Sequence, residues 1–211
     1  SLWIATREGL YSSRDKGETW THDSRLRCPV RKAMSDANRL WLATDGGLIA
    51  RSRAAEWRSY SVRSNVLCMA ATREDGVDIW WAGTTGGLAR SRDGGQNWRV
   101  LTVADGLPSN LILCLAADGA RVWAGTDGGI WEATAGGDGG HRFGKETGLR
   151  GLLVRDIIVT ANDVWAATDH GLGWLSGKRG EWRVIQSNKE WRTICMAKGT
   201  LYGAVLDKFD P

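Results

Sequence analysis

Histidine, proline and the smaller aromatics are scarce in this 211-residue chain, which holds three His, three Pro, three Tyr and two Phe. His22, His141 and His170 stand far apart, with no His-x-x-x-His spacing and no His–Cys cluster, so no metal site is legible. Neither a Gly-x-Gly-x-x-Gly strand–helix unit, a phosphate loop nor a Gly-x-Ser-x-Gly elbow occurs. No cofactor is therefore expected. No apolar run approaches the roughly 20 residues of a membrane helix, so membrane insertion is not expected. Cys28, Cys68, Cys114 and Cys195 show no metal-ligand spacing and do not form a disulfide frame. The first residue is not Met and no signal-peptide pattern follows it. The chain is read as processed, or as a segment of a larger multidomain protein or complex.

What the chain has in excess is Gly, 28 residues, and Trp, 13 residues, and both are periodic. Five times it repeats a Trp, two small or apolar residues, a Thr, a turn, and Gly-Leu or Gly-Ile: "LWIATREGL", "LWLATDGGL", "WWAGTTGGL", "VWAGTDGGI" and "VWAATDHGL". The threonines, Thr6, Thr44, Thr84, Thr126 and Thr168, are separated by 38, 40, 42 and 42 residues. A fixed period of this size marks a repeat architecture. In residues 111–145 the unit reads as four short strands: "LILCLAAD", "RVWAGT", "GIWEA" and "HRFGK". The Asp-Gly-Gly between the second and third suits two consecutive positive-φ positions. Helical spacing of apolar residues is absent. The expected fold class is all-β, a single β-propeller domain over 1–211 of about five four-stranded blades. The blade units are approximately 1–25, 26–63, 64–103, 104–149 and 150–188, with closing strands at 189–211.

First strands are expected near 29–36, 65–72, 111–118, 153–160 and 191–198. The segment 192–199 has the pattern to supply the first strand that blade one lacks, closing the ring with strands from both ends. Trp3, Trp41, Trp81, Trp123 and Trp165 read as wedges between blades, as does the downstream set Trp20, Trp57, Trp98, Phe143 and Trp182. Cys68, Cys114 and Cys195 are read as equivalent small core positions, shared with Ala33 and Ile157. Unpaired core thiols point to a reducing, cytoplasmic compartment.

The segment "ADGLPSNLILCLAADGARVWAGTDGGI" (104–130) resembles the propeller repeat in the sensor regions of bacterial two-component regulators. "SRDKGETW" (13–20) and "SRDGGQNW" (91–98) resemble the Asp-box, the BNR-type repeat of sialidases, related glycoside hydrolases, sorting-receptor propellers and photosystem assembly factors. The resemblance implies a propeller scaffold and leaves the compartment open, since such propellers are often extracytoplasmic. Asp15 and Asp93 are expected to bond their own turns, with Trp20 and Trp98 packed inward.

Glycoside hydrolysis needs two carboxyl groups across the scissile bond, or a Tyr nucleophile in sialidases. Tyr11, Tyr60 and Tyr202 cannot be assembled on one face, so no catalytic residue is named and the chain is read as a non-enzyme. The formal charge of +4 comes with 21 Arg against 7 Lys, clustered at Arg25, Arg27, Arg31 and at Arg51, Arg53, Arg58, Arg63. Nucleic-acid binding would require exposed aromatics beside that charge, and the aromatics read as core, so no nucleic-acid partner is expected. The function expected is a ligand- or protein-binding module, a sensor or interaction scaffold, with a protein partner or a small-molecule or glycan ligand. The alternative is a glycan-binding or sialidase-like hydrolase propeller. The binding face is expected where the second-to-third hairpins meet the inter-blade loops. From the hairpins it collects Asp45, Thr85, Asp127, Asp169 and His170. From the inter-blade loops it collects Arg63, Ser64, Asn65, Pro108, Ser109, Asn110, Arg150 and Asn188.

Overall fold

The computed structural model describes residues 2–36, 38–54, 56–62, 64–134, 139–149, 153–177, 181–187 and 189–206. It is an all-β propeller of antiparallel sheets in sequence order. The first sheet has three strands, β1 (Leu2–Thr6), β2 (Gly9–Ser13) and β3 (Thr21–His22). Four four-stranded blades follow. The second is β4 (Val30–Ser35), β5 (Arg39–Thr44), β6 (Gly47–Ser52) and β7 (Trp57–Tyr60). The third is β8 (Val66–Glu74), β9 (Val77–Thr84), β10 (Gly87–Ser91) and β11 (Arg99–Leu101). The fourth is β12 (Ile112–Asp118), β13 (Arg121–Thr126), β14 (Gly129–Thr134) and β15 (His141–Phe143). The fifth is β16 (Val154–Val159), β17 (Asp163–Thr168), β18 (Gly171–Ser176) and β19 (Arg183–Ser187). A two-stranded sheet, β20 (Glu190–Ala197) and β21 (Thr200–Leu206), ends the series.

The repeated Thr explains the repeated hairpin. Thr44 donates its hydroxyl hydrogen to the Gly47 carbonyl at 2.8 Å and accepts the Gly46 N–H at 3.2 Å. Thr84, Thr126 and Thr168 make the same donation, at 2.7, 2.8 and 2.7 Å, and so does Thr6 at 3.0 Å. Each side chain thus satisfies two backbone groups that the tight turn would leave unpaired. The positive φ falls on the glycine that opens the third strand, for example 114° at Gly47 and 136° at Gly87. It does not fall on two consecutive turn residues as the Asp-Gly-Gly pattern suggested. Arg7-Glu8 and Asp169-His170 can therefore occupy the turn itself without strain. Paired positive-φ turns do occur between first and second strands, at Asp75-Gly76 and Lys198-Gly199.

Blades pack face to face through alternate residues of the second strands. Trp41, Ala43 and Leu48 of the second blade meet Trp80, Ala82 and Ala89 of the third. Trp81 and Leu88 of the third blade meet Val122 and Ala124 of the fourth, and Trp123 and Ile130 meet Val164 and Ala166 of the fifth. Trp41, Trp81 and Trp123 are fully buried, as wedges should be. Trp20 is not: it is 37% exposed, although its indole N–H still reaches the Gly17 carbonyl at 3.1 Å. Its counterpart Trp98 packs back against the preceding blade, beside Trp41. In front of Trp20 no earlier blade is described.

Two further expectations take a different form. The segment expected to close the ring lies in β20, which pairs with β21 and not with β1. Lys198-Gly199 folds it back onto the next seven residues, and a contact across two residues carries far less chain entropy than one across the whole chain. The cysteine register also shifts. Every first strand carries a bulge, after its first paired residue in β4, β8, β12 and β16 and after its second in β20. Partners across the ladder then align Cys68 and Cys114 with Lys32, Asp156 and Thr193, opposite Gly83, Gly125, Ala43, Ala167 and Ala204. Cys195 sits two places further, opposite Tyr202, and is exposed.

Candidate functional site

Antiparallel pairing sets Val30, Val66, Ile112 and Val154 opposite Thr44, Thr84, Thr126 and Thr168. The start of each first strand therefore lies beside the second-to-third hairpin, and inter-blade loops and hairpins share one face. The bulges sit at this end. Their extra residues are Arg31, Leu67, Leu113, Arg155 and Arg192. A bulge turns its residue out of the pleat and re-aims it.

Three of these residues converge. An open depression of about 780 Å³ is lined by Ala5, Thr6 and Arg7 of the first sheet, by Pro29, Val30, Arg31 and Asp45 of the second, and by Leu67 and Leu113. Arg31 Nε donates to the Asp45 carboxylate at 2.5 Å, spanning first strand and hairpin. The other two bulge residues meet on one carboxylate: Arg155 lies 2.5 Å and Arg192 3.3 Å from Glu190. The mouth is thus an apolar floor of two leucines with arginine and carboxylate on its rim. Such a mixed lining suits an amphipathic ligand.

Asp45 lines this mouth. The remaining described loop residues clip the face together blade by blade. Thr85 and Ser64 share a hydroxyl–hydroxyl bond of 2.7 Å, and the Thr85 N–H donates to the Asn65 carbonyl at 3.3 Å. Asp169 accepts the Leu153 N–H at 3.3 Å and lies 3.0 Å from His170 Nδ1. Ser109 accepts from the Leu111 N–H at 3.1 Å, and Asn110 from the Val103 N–H at 2.9 Å. Pro108 sits against the Gly128 turn, and Asp127 beside it is exposed. Arg63, Arg150 and Asn188 lie outside the described residues. The leucines were not singled out from the sequence, and Arg31 was noted there only as part of a basic cluster. Their signal is the residue after the first apolar residue of each inner strand, in Val-Arg, Val-Leu, Ile-Leu, Val-Arg and Trp-Arg.

Three of the four cysteines are held back from reaction by their surroundings. Burial pushes the Cys68 thiol up to about 12 and the Cys114 thiol well above its ordinary range. The reactive thiolate is suppressed in both. Burial, and then the nearby Asp45 charge, also raise Cys28 beside the mouth. Among the described residues no group of three or more His, Cys, Asp and Glu side chains could hold a metal ion.

No family profile matches the chain. Over 123 residues it is 29% identical to the photosystem II assembly lipoprotein Ycf48 of Synechocystis sp., covering 51% of this chain and 34% of that protein. A structure of Ycf48 bound to D1 peptide superposes with a TM-score of 0.69 at 14% identity, covering 96% of this chain and 71% of that one. The extracellular domain of the putative one-component system BT4673 of B. thetaiotaomicron superposes with a TM-score of 0.80 at 18% identity, covering 96% and 29%. An ancestral GH74 enzyme gives 0.72 at 14%, covering 92% and 31%. The chain spans about a third of the curated relative it matches. These likenesses confirm the propeller.

Proposed function

We propose that the chain is a non-enzymatic protein-binding module that seats an extended segment of a protein partner in the mouth between its inner strands. The observation that carries the reading is the lining itself: Leu67 and Leu113 beneath a rim of Arg7, Arg31 and Asp45. An extended segment presents side chains alternately to either side. It can set apolar groups on the leucines and charged groups on the rim. Loops held on a rigid scaffold are a common seat for recognition. The peptide held by Ycf48 supports the class of ligand by analogy of fold. On this reading the turns at 13–20 and 91–98 are Asp-boxes with a structural role, and the module belongs to a longer sensor or assembly protein.

Selection from a random-peptide display library tests it. Enriched peptides should bind the wild-type chain, lose at least tenfold in affinity with Leu113→Glu, and keep it with Asp127→Ala, which changes the face away from the mouth. Equal binding by the Leu113→Glu chain would move the site elsewhere. Retention of a glycan on an array, with no peptide enriched, would favour the glycan-binding alternative.

A further inference from the structure

The fourth strand of a blade has an outer edge, and the edge of β7 is open in a specific way. Ser52 donates its N–H to the Glu56 carbonyl at 2.9 Å. Bonded and non-bonded pairs alternate along an antiparallel ladder, and the register sets Ala50 opposite Arg58 and Leu48 opposite Tyr60. Arg58 and Tyr60 therefore turn their backbone groups to β6. Ser59, between them, turns its N–H and C=O outward, and among the described residues no backbone group meets them. Sheets discourage foreign strands with short edges, bulges, Pro and Lys. β3, β11 and β15 run only two or three residues, and β19 is reached through a bulge. β7 runs four residues in unbroken register and contains neither Pro nor Lys.

A groove of about 930 Å³ lies along this edge, between the second and third blades. One wall is β7 from Arg58 to Tyr60, continued by Ser61 and Val62; the other is the turn from Gly95 to Trp98, with Val100 beyond it. Both blades have all four strands, and each is packed on both sides by another sheet of the chain. The groove shares no residue with the mouth. Trp98 is half-buried and Val100 is 38% exposed, so the far wall offers apolar surface. Arg58 lies on the same side of β7 as Tyr60 and stacks its guanidinium on that ring at 5.8 Å. Among the described residues no carboxylate pairs with it.

We propose that this groove takes an extended segment of a partner protein as a fifth strand on the second blade, with apolar side chains against Trp98 and Val100 and a carboxylate side chain on Arg58. A strand added to an edge is held by main-chain bonds, and the pockets beside it choose its side chains. The outward N–H and C=O of Ser59 supply the main-chain pair. Alternation along the segment sends every second side chain towards the third blade, where the apolar wall and the unpaired guanidinium stand. An acidic group among apolar ones is the pattern that fits both.

Leu113→Glu blocks the mouth, so a random-peptide display library selected on that chain reads the groove by itself. Enriched peptides should carry a carboxylate with apolar residues at alternate positions, and should bind the wild-type chain equally well. Ser59→Pro removes an outward donor and no bond to β6, a change that an edge strand tolerates. It should keep the wild-type far-UV spectrum and lower the affinity at least tenfold. Val100→Asp and Arg58→Gln, both at exposed positions, should each do the same. In the wild-type chain the Ser59 amide should exchange with deuterium at least tenfold more slowly once an enriched peptide is bound, a readout that needs no variant. An unchanged Ser59 exchange rate, full affinity for the Val100→Asp chain, or a library that yields no peptide overturns the proposal. Retention of a glycan in place of any peptide overturns it too. None of these results bears on the mouth, whose own test is the loss caused by Leu113→Glu.

Discussion

Cys114 and Gly125 show how single residues are chosen in pairs across a strand ladder. A Cβ on Gly125 would collide with Cys114 Sγ and lie 2.7 Å from Val154 Cγ1 in the next blade. Gly83 stands in the same relation to Cys68 and Ile112. Where the first-strand residue is Lys32, Asp156 or Thr193 instead, the partner is Ala. The thiol is thus the side chain that turns into the blade interface, and Gly leaves room for it. Sulfur–hydrogen contacts to the Ile112 and Val154 carbonyls, at 3.9 and 3.8 Å, cross to the next blade. Gly125→Ala should therefore destabilise by about 1–3 kcal/mol, the usual cost of overpacking. Cys114→Ala in the same chain should recover part of that loss. Urea denaturation of both singles and the double closes the cycle, and strict additivity would show that the two sites do not touch. The Cys–Gly pairing was visible in the sequence as letters, "ILCLA" with "VWAGT". Its register was not, because a bulge adds a residue without changing composition. Ungapped alignment therefore placed Cys195 in the wrong row.

At the scale of the element, the hairpins and the Ser-x-Asp turns were the legible parts, because their chemistry is local. Ser91 donates to Asp93 at 2.8 Å and accepts the Gly95 N–H at 2.9 Å. Asp93 accepts the Asn97 N–H at 2.9 Å and the Asn97 side-chain amide at 2.7 Å. The Asn97 backbone N–H first, then its side chain and the Ser91 hydroxyl, hold the Asp93 carboxyl down to about 2. Asp15 is lowered in the same way, chiefly by the Ser13 and Thr19 hydroxyls. Each folded value lies below the unfolded one, about 3.9 for aspartate. The turn's contribution is therefore fully present above about pH 4 and lost as the pH falls towards 2. Denaturation midpoints of the wild-type and Asp93→Ala chains should differ at pH 6 and converge towards pH 2. A gap that persists in acid would mean that the carboxylate does not staple the turn. What these local patterns could not reveal was the mouth. Leu67, Leu113 and Arg31 come from three sheets, and only the packing of inner strands side by side brings them within one depression.

Across the whole molecule, the period of the threonines led to the architecture, since a strand quartet repeated about every 40 residues has few ways to bury both its faces. The ends were harder to read, because whether β20 pairs with β21 or with β1 turns on a local turn competing with a distant edge. The repeat organisation also sets how stability is distributed. Each blade contacts only its neighbours, so a wedge is worth what its two flanking sheets bury around it. Trp41, Trp81 and Trp123 lie between full blades and are completely buried; Trp3 and Trp165 are only half-buried, and Trp20 is exposed. Trp41→Ala and Trp123→Ala should each cost about 3–5 kcal/mol, the range for removing a large core aromatic. Trp20→Ala should stay within about 0.5 kcal/mol, as exposed positions generally do. Trp165→Ala, beside the two-stranded hairpin, should fall between them. Thermal unfolding of the four variants gives the ranking. Equal losses at Trp20 and Trp123 would mean that the first sheet is covered in solution, and the graded, neighbour-by-neighbour account of this propeller would have to be replaced.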